Sequence, residues 1–215
     1  MADILFSDVV PDVQILAPNC PQPLVVGMLR QSARQLCADS SVYQYHVSFP
    51  FVDGTHSYSP TLPAGTEVAR YISVSHGVRL LEPATLAEFF SYDEEYPFLQ
   101  GIPTHYATEE FSSLKFYPVP DADAEAEASC IVFLALCPTN TATGLDQDVF
   151  SRYREGIVDG AAARLMAQPD KPWSNPQLSS YYAGRYRAAV KNASGQALRG
   201  RVGVEARIKP VWFGV

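Results

Sequence analysis

The sequence carries its strongest structural signal at residues 146–167, DQDVFSRYREGIVDGAAARLMA. Apolar residues recur here at the three- and four-residue spacing of an amphipathic helix. The predicted apolar stripe consists of Phe150, Tyr153, Ile157, Ala161 and Leu165. A glycine inside a helix costs about 1 kcal/mol relative to alanine, so Gly156 and Gly160 need a packing reason. Together with the alanines that follow, they predict a small-residue face on which a second helix approaches closely.

A second helix is predicted directly after the proline-rich hinge that follows. Asn175 can cap this helix, Pro176 suits its first position, and Gly195 can end it. Its predicted apolar stripe consists of Leu178, Tyr182, Tyr186 (or Arg185) and Ala189. Both helices are expected to belong to one helical bundle.

The N-terminal part of the chain divides into two segments. Residues 1–18 mix apolar and acidic residues with two prolines, which predicts an extended arm. Apolar residues then recur at helical spacing over residues 19–38, and Asn19 can cap that helix.

The middle of the chain is rich in residues that favour β-structure. The predicted strands occupy residues 42–47, 67–75, 78–81, 114–117 and 129–137. His76 and Gly77 predict a tight hairpin turn. The last two strands are expected to pair antiparallel across the acidic loop 121–127, and the final one, apolar on both faces, suits a central position. A short helix is predicted at 85–91, with its inward residues at Leu86, Phe89 and Phe90.

Helices at the two ends of the sequence, with β-structure between them, predict an α+β protein. It is expected to be an α-helical bundle with an inserted antiparallel β-domain and an extended C-terminal arm. The predicted divisions are an N-terminal arm (1–18), a bundle (19–40 and 140–197), a β-rich insert (41–139) and a C-terminal arm (198–215).

Charge is distributed unevenly along the chain. The net charge is −7, but residues 1–184 hold nine basic and twenty-two acidic residues, giving −13. Residues 185–215 hold seven basic residues and one acid, giving +6. Such asymmetry is typical of an interaction tail, although a solvated basic helix end remains the alternative.

Several classes of protein are disfavoured by composition. No stretch approaches the roughly 20 apolar residues that span a bilayer, and the N-terminus lacks the positive region of a secretory signal. The four cysteines are Cys20, Cys37, Cys130 and Cys137. They show no C-x-x-C spacing, which favours synthesis in a reducing cytoplasm. Cys130 and Cys137 lie in a predicted apolar strand, where a free cysteine packs as a small hydrophobe.

No pattern typical of catalysis or cofactor binding is present in the sequence. Four scattered histidines, His46, His56, His76 and His105, lack metal-ligand spacing. The chain has no glycine-rich phosphate loop and no nucleophile elbow, and its carboxylate runs read as solvated loops. We therefore predict no catalytic residue, no metal, no cofactor and no enzyme activity.

Four segments carry a family resemblance. They are GIPTHY (101–106), LKFYPVPDAD (114–123), DQDVFSRYREGIVDGAAARLMAQPDKPWSNP (146–176) and LSSYYAGRYRAAV (178–190). In their order, these segments resemble the head-to-tail adaptor (connector) proteins of tailed bacteriophages. The resemblance covers most of residues 19–193.

The resemblance implies a structural virion protein in the neck, made in the host bacterial cytoplasm. Copies of the chain would form a dodecameric ring below the portal protein and join the capsid to a tail or nozzle protein. Packaged DNA would pass through without specific binding during ejection, and no membrane would be involved. The residues expected to pack the ring wall are Phe150, Tyr153, Gly156, Ile157, Gly160, Tyr182 and Tyr186.

The resemblance also implies that the C-terminal arm docks on the portal. Residues 201–213 alternate between apolar and charged residues before an aromatic end, which suits strand addition to a foreign edge. The predicted docking residues are Arg199, Arg201, Arg207, Lys209, Trp212 and Phe213. The alternative is a soluble nucleic-acid-binding or regulatory module that uses the same basic tail, and salt-sensitive DNA affinity would distinguish it.

Overall fold

The computed structural model describes residues 3–92, 96, 98–110 and 112–199, and within them the chain has the predicted α+β fold. The helices are α1 (Val10–Leu16), α2 (Gln22–Ser40), α3 (Leu86–Tyr92), α4 (Ala122–Glu127), α5 (Gln147–Met166) and α6 (Pro176–Leu198). The strands are β1 (Asp3–Leu5), β2 (Gln44–Phe49), β3 (Thr66–His76), β4 (Arg79–Leu80), β5 (Glu82–Pro83), β6 (Gln100–Gly101), β7 (His105–Thr108), β8 (Leu114–Tyr117), β9 (Val119–Pro120), β10 (Cys130–Pro138) and β11 (Gly144–Asp146).

Helices α2, α5 and α6 pack against one another. The Asp146 carboxylate caps α5 by accepting from the backbone N–H groups of Asp148 (3.1 Å) and Val149 (3.3 Å). Asn175 caps α6 through the Leu178 N–H at 3.1 Å, as predicted. The predicted end of α6 at Gly195 is wrong, because the helix continues to Leu198.

The predicted cap of α2 is also wrong. Asn19 has a φ of 63° and lies outside the helix, which begins after Pro21 without a side-chain cap. Pro23, in the first turn, lacks the backbone N–H that a cap would otherwise satisfy. The helix ends at a left-handed Ser41, whose N–H donates to the Cys37 carbonyl at 2.9 Å.

The N-terminal residues do not form an extended arm. Strand β1 pairs antiparallel with β11, and a 3-10 turn (Phe6–Val9) leads into α1. Phe6, Val9 and Val13 are buried in the core, and α1 packs against α2 and α5. The prediction failed because these apolar positions, at helical spacing, bury enough surface to fold a segment interrupted by prolines.

The central sheet has the strand order β2-β10-β3-β4, which confirms the predicted central position of β10. Strands β3 and β4 form the predicted hairpin, with Gly77 at a φ of 56° in its turn. The predicted pairing of 114–117 with 129–137 is wrong, because β8 pairs with β7 while β10 pairs with β2 and β3. The acidic residues between them form α4, capped by Asp121, rather than a hairpin loop.

Strands β5, β7 and β8 form a smaller sheet, and α3 packs against it. Phe89 of α3 is fully buried against Tyr96 and Val119, as predicted. Phe90 was predicted to face inward but is 55% exposed. Adjacent residues on a helix lie about 100° apart, so one short apolar face cannot bury both rings.

A single cluster of buried side chains joins the helices to the central sheet. Leu36 of α2, Leu134 of β10 and Phe150 of α5 all belong to it, each with no exposed surface. The insert contributes Phe116, whose ring centre lies 4.9 Å from that of Phe51 in an edge-to-face contact. Helical and β-rich parts therefore share one core.

All four cysteines are free and buried, which confirms the burial predicted for Cys130 and Cys137. Burial raises the pKa of the Cys130 thiol to about 12 and that of Cys137 to about 11. In the folded chain these thiols are therefore protonated near neutral pH and pack as small apolar side chains.

Candidate assembly site

Helices α5 and α6 approach each other at two glycines. A Cβ atom added at Gly156 would lie 2.7 Å from the Ala189 Cβ atom. One added at Gly160 would lie 2.6 Å from Cδ2 of Tyr186. Real Cβ atoms do not come this close to other carbons, so only glycine fits at either position. The predicted small-residue face is confirmed, and the helix that uses it belongs to the same chain.

Tyr186 fixes α6 against α2. Its ring is 7% exposed, and its hydroxyl donates to the Ser32 carbonyl at 2.8 Å. Burial raises the pKa of this hydroxyl to about 12, so it stays protonated and able to donate near neutral pH. The Arg164 guanidinium lies 5.2 Å from the ring centre, at a distance typical of a cation–π contact, and donates to the Ser32 hydroxyl at 2.7 Å.

Two further hydrogen bonds hold the ends of α6. The Tyr153 hydroxyl donates to Oε1 of Gln196 at 2.7 Å. At the other end, the Ser179 hydroxyl donates to the Ala163 carbonyl at 2.8 Å. The helix is therefore fixed along its length rather than at one crossing point.

The residues predicted to pack the ring wall lie at contacts within one chain. Phe150, Ile157 and both glycines of α5 are buried, and Tyr153 is 9% exposed. Tyr182 is half-buried and lines a groove between α1 and α6. The structure thus brings all seven residues to the bundle, mostly inside it, and their part in a ring wall stays a prediction.

That groove, of about 210 Å³, runs over α5 and concentrates charge. Arg185 contacts Asp159 at 3.0 Å and Glu155 at 3.6 Å, and Arg154 contacts Asp12 at 2.7 Å. Asp159 is 5% exposed. Burial raises the pKa of its carboxyl group, and the Arg185 guanidinium only partly opposes this shift. Sequence reasoning missed these ion pairs because their partners are on different helices.

Asp159→Asn is expected to flatten the pH dependence of stability above about pH 4, the ordinary carboxyl value. Folding raises the pKa of Asp159, so the folded chain binds more protons than the unfolded chain in this window. The contribution of Asp159 to the free energy of unfolding of the wild type therefore falls as the pH rises through the window. The asparagine side chain does not titrate in this window, so the variant lacks this contribution.

Urea unfolding of the two proteins at several pH values between 4 and 7 measures this difference. Glu110→Gln, at an exposed side chain outside this groove, controls for the loss of one carboxylate. Equal slopes for the wild type and Asp159→Asn would show that burial of Asp159 does not shape the pH dependence.

The predicted docking arm falls mostly outside the described residues. Arg199 is exposed and follows the last turn of α6, where its N–H donates to the Gly195 carbonyl at 3.3 Å. The other predicted docking residues lie beyond the described part of the chain: Arg201, Arg207, Lys209, Trp212 and Phe213.

One protein family has a sequence model that matches this chain. It is described as SU10 adaptor protein, and the match covers residues 5–208. The chain belongs to the SU10 adaptor protein family. This is a phage head-to-tail adaptor family, so the chain is a structural adaptor protein and a component of the virion. No curated protein matches its sequence.

The β-rich part of this adaptor presents apolar side chains to solvent. Val78 is fully exposed and Leu80 is 67% exposed, both at the hairpin formed by β3 and β4. Phe90 adds a third exposed apolar group on α3. Exposed apolar groups of this size are typical of surfaces that contact another protein.

The described part of the adaptor contains no cluster of three or more metal-ligating side chains. His76 is buried, with Nε2 3.2 Å from the Ala124 carbonyl oxygen, and the partly exposed His105 lies 3.6 Å from Glu82. Both histidines therefore have structural partners. Among the described helices, none is long and apolar enough to cross a membrane.

Proposed function

We propose that copies of this chain form a ring beneath the portal protein, join the capsid to the tail and continue the DNA channel. The observation that carries this proposal is the family match, which extends from residue 5 to residue 208. It includes the whole helical bundle and most of the basic C-terminal segment.

The helical bundle forms the ring wall in this proposal. Helices that form a ring wall must keep their relative positions when neighbouring subunits pack against them. Contacts at Gly156 and Gly160 too close for a Cβ atom, and the buried hydrogen bond of Tyr186, support this role because they fix α6 on α5 and α2. We further propose that the ring is dodecameric.

DNA passes through the ring without specific binding in this proposal. The −13 balance of residues 1–184 supports it, because an acidic wall repels a phosphate backbone. Tyr186 is 7% exposed and so cannot stack on a base. A passive channel would let the genome leave during ejection.

The C-terminal segment docks on the portal in this proposal. Helix α6 ends at Leu198, so the docking arm begins near Arg199. Arg201, Arg207 and Lys209 would meet acidic groups, while Trp212 and Phe213 would fill apolar pockets, as these residue types do at interfaces.

The β-rich insert contacts the tail or nozzle protein in this proposal. Val78 and Leu80 support that role because both are exposed. Removing apolar side chains from water is favourable, so a partner that covers them would gain binding energy.

Portal binding by the full chain and by a chain ending at Arg199 tests the proposal. The full chain is expected to form rings on purified portal, visible by negative-stain electron microscopy. The shortened chain keeps all of α6, so it should fold but bind the portal at least about a hundredfold more weakly.

Two matched variants of the full chain separate the contributions within the arm. Trp212→Ala with Phe213→Ala should reproduce most of the loss. Arg201→Gln with Arg207→Gln should weaken binding less and reduce its dependence on salt. Undiminished portal binding by the shortened chain would show that docking does not use this arm. Tight, salt-sensitive DNA binding by the full chain without portal binding would instead favour the nucleic-acid-binding alternative.

A further inference from the structure

We infer that neighbouring copies of this chain join through two different faces, the outer face of α6 on one copy and the N-terminal face on the next. The outer face of α6 consists of Tyr181, Gly184, Arg187, Ala188, Lys191 and Leu198. The N-terminal face consists of Asp3, Leu5, Asp8 and Ile15. This inference rests on the proposed ring and identifies its subunit contact.

The outer face of α6 is exposed and carries a large apolar side chain at each end. Tyr181, Gly184, Ala188, Lys191 and Leu198 lie on the side of the helix opposite Tyr186. Tyr181 is 58% exposed and Leu198 is 87% exposed. A partner that covers this face of the 23-residue helix would remove an apolar side chain from water at each end.

The same face is positively charged. Residues 176–199 contain Arg185, Arg187, Lys191 and Arg199 and no acidic residue, a charge of +4. Arg185 is engaged with Asp159. Arg187 and Lys191 are exposed and form no salt bridge with any residue in the described ranges. They are therefore available to an acidic partner.

Gly184 fits this interpretation. A Cβ atom at Gly184 would meet no atom within 4 Å, in contrast to Gly156 and Gly160. Gly27 and Gly195 have equally open space, so what distinguishes Gly184 is its position between Tyr181 and Lys191 on the outer face of α6. A small residue at the middle of the exposed face lets a second backbone approach closely.

The N-terminal face has the complementary properties. Leu5 is 44% exposed and Ile15 is 80% exposed. Residues 3–19 contain Asp3, Asp8 and Asp12 and no basic residue, a charge of −3. Asp12 contacts Arg154, whereas Asp3 and Asp8 are exposed. Exposed apolar side chains and exposed acids in the same short segment complement the basic outer face of α6.

The two faces are separate surfaces of one subunit. Helices α1 and α6 both pack on α2 and α5, and the groove that contains Asp159 lies between them. A twofold contact of α6 with itself would bring like charges together, as would a twofold contact of the N-terminal face. The charges therefore favour a head-to-tail contact, which is the kind that closes into a ring.

Charge reversal on one face at a time tests this contact in the full chain. One variant carries Arg187→Glu and Lys191→Glu, and the other carries Asp3→Lys and Asp8→Lys. Each variant alone is expected to bind its own copies at least about tenfold more weakly than the wild type does. Sedimentation velocity, under conditions in which the wild type forms rings, measures the loss.

Mixing the two variants provides the decisive control. In the mixture, both faces of the first variant are acidic and both faces of the second are basic. Each contact between unlike variants therefore joins opposite charges, and rings of alternating copies are expected to form. Misfolding would not be repaired by mixing. Gly184→Gln should also block ring formation, whereas Gly27→Gln, at a position on α2 with equally open space, should not.

The outcomes separate this inference from the proposed function. Rings that withstand both reversals, or a mixture that fails to assemble, would overturn the assigned faces while leaving the ring intact. Loss of DNA affinity in Arg187→Glu with Lys191→Glu, with rings unchanged, would also overturn it, since the face would then contact nucleic acid. Absence of rings from the wild type, with or without portal, would instead count against the proposed function.

Discussion

Gly160→Ala is expected to lower the free energy of unfolding by about 2 kcal/mol. The new Cβ atom would lie 2.6 Å and 2.8 Å from two ring carbons of Tyr186 and 3.0 Å from Oγ of Ser32. Tyr186 cannot move away freely, because its hydroxyl bonds the Ser32 carbonyl and its ring is buried. The strain outweighs the gain of about 1 kcal/mol that alanine brings to a helix.

Gly184→Ala is the matched control, because it makes the same change where a Cβ atom meets nothing. It should raise the free energy of unfolding by about 1 kcal/mol. Guanidinium unfolding of both variants measures the two effects under one set of conditions. At concentrations at which sedimentation shows a monomer, effects of the same sign at both glycines would contradict the close approach of α5 and α6.

Phe116→Ala is expected to destabilise the whole chain by about 3–5 kcal/mol. The side chain is 1% exposed. Its ring centre lies 4.9 Å from that of Phe51 and 5.5 Å from that of Tyr58, and both contacts are edge-to-face. Truncation leaves a cavity and removes both aromatic contacts. Because the insert and the helices share one core, the loss should appear in a single unfolding transition.

Phe133→Ala is the control for removing a phenylalanine ring from the same β-rich region. Its side chain is 47% exposed, so the change should cost less than about 1 kcal/mol. Far-ultraviolet circular dichroism follows mainly the helices, and near-ultraviolet circular dichroism follows mainly the tyrosines, eight of twelve of which lie in residues 41–139. The two signals should give the same midpoint. Two separated transitions would mean that residues 41–139 unfold independently of the bundle.

The sequence predicted what depends on local spacing. The periodicity of 146–167 predicts α5, and the Asp146 and Asn175 caps confirm where α5 and α6 begin. The glycines of α5 predicted a close contact with another helix. They did not predict that Tyr186 would occupy this contact, or that its hydroxyl would donate to the carbonyl of Ser32, 154 positions away in the chain.

Long-range pairing could not be predicted in the same way. Strand β8 could pair with any nearby strand of suitable length, and no local signal favours β7 over β10. Phe90 was misplaced because neighbouring aromatic residues give a short helix two possible inner faces. For the Tyr181-Tyr182 pair the helical spacing was sufficient, because Tyr182 lies on the predicted stripe and is half-buried while Tyr181 is 58% exposed.

Burial of the four cysteines gives the adaptor internal reporters of motion. A thiol reagent attacks the thiolate, and Cys37 on α2 and Cys130 on β10 are both buried, with pKa values raised by desolvation. Each therefore reacts only when its own element opens. Labelling rates at these two positions would report separately how often the bundle and the sheet open, in the free subunit and in an assembled neck, without any substitution.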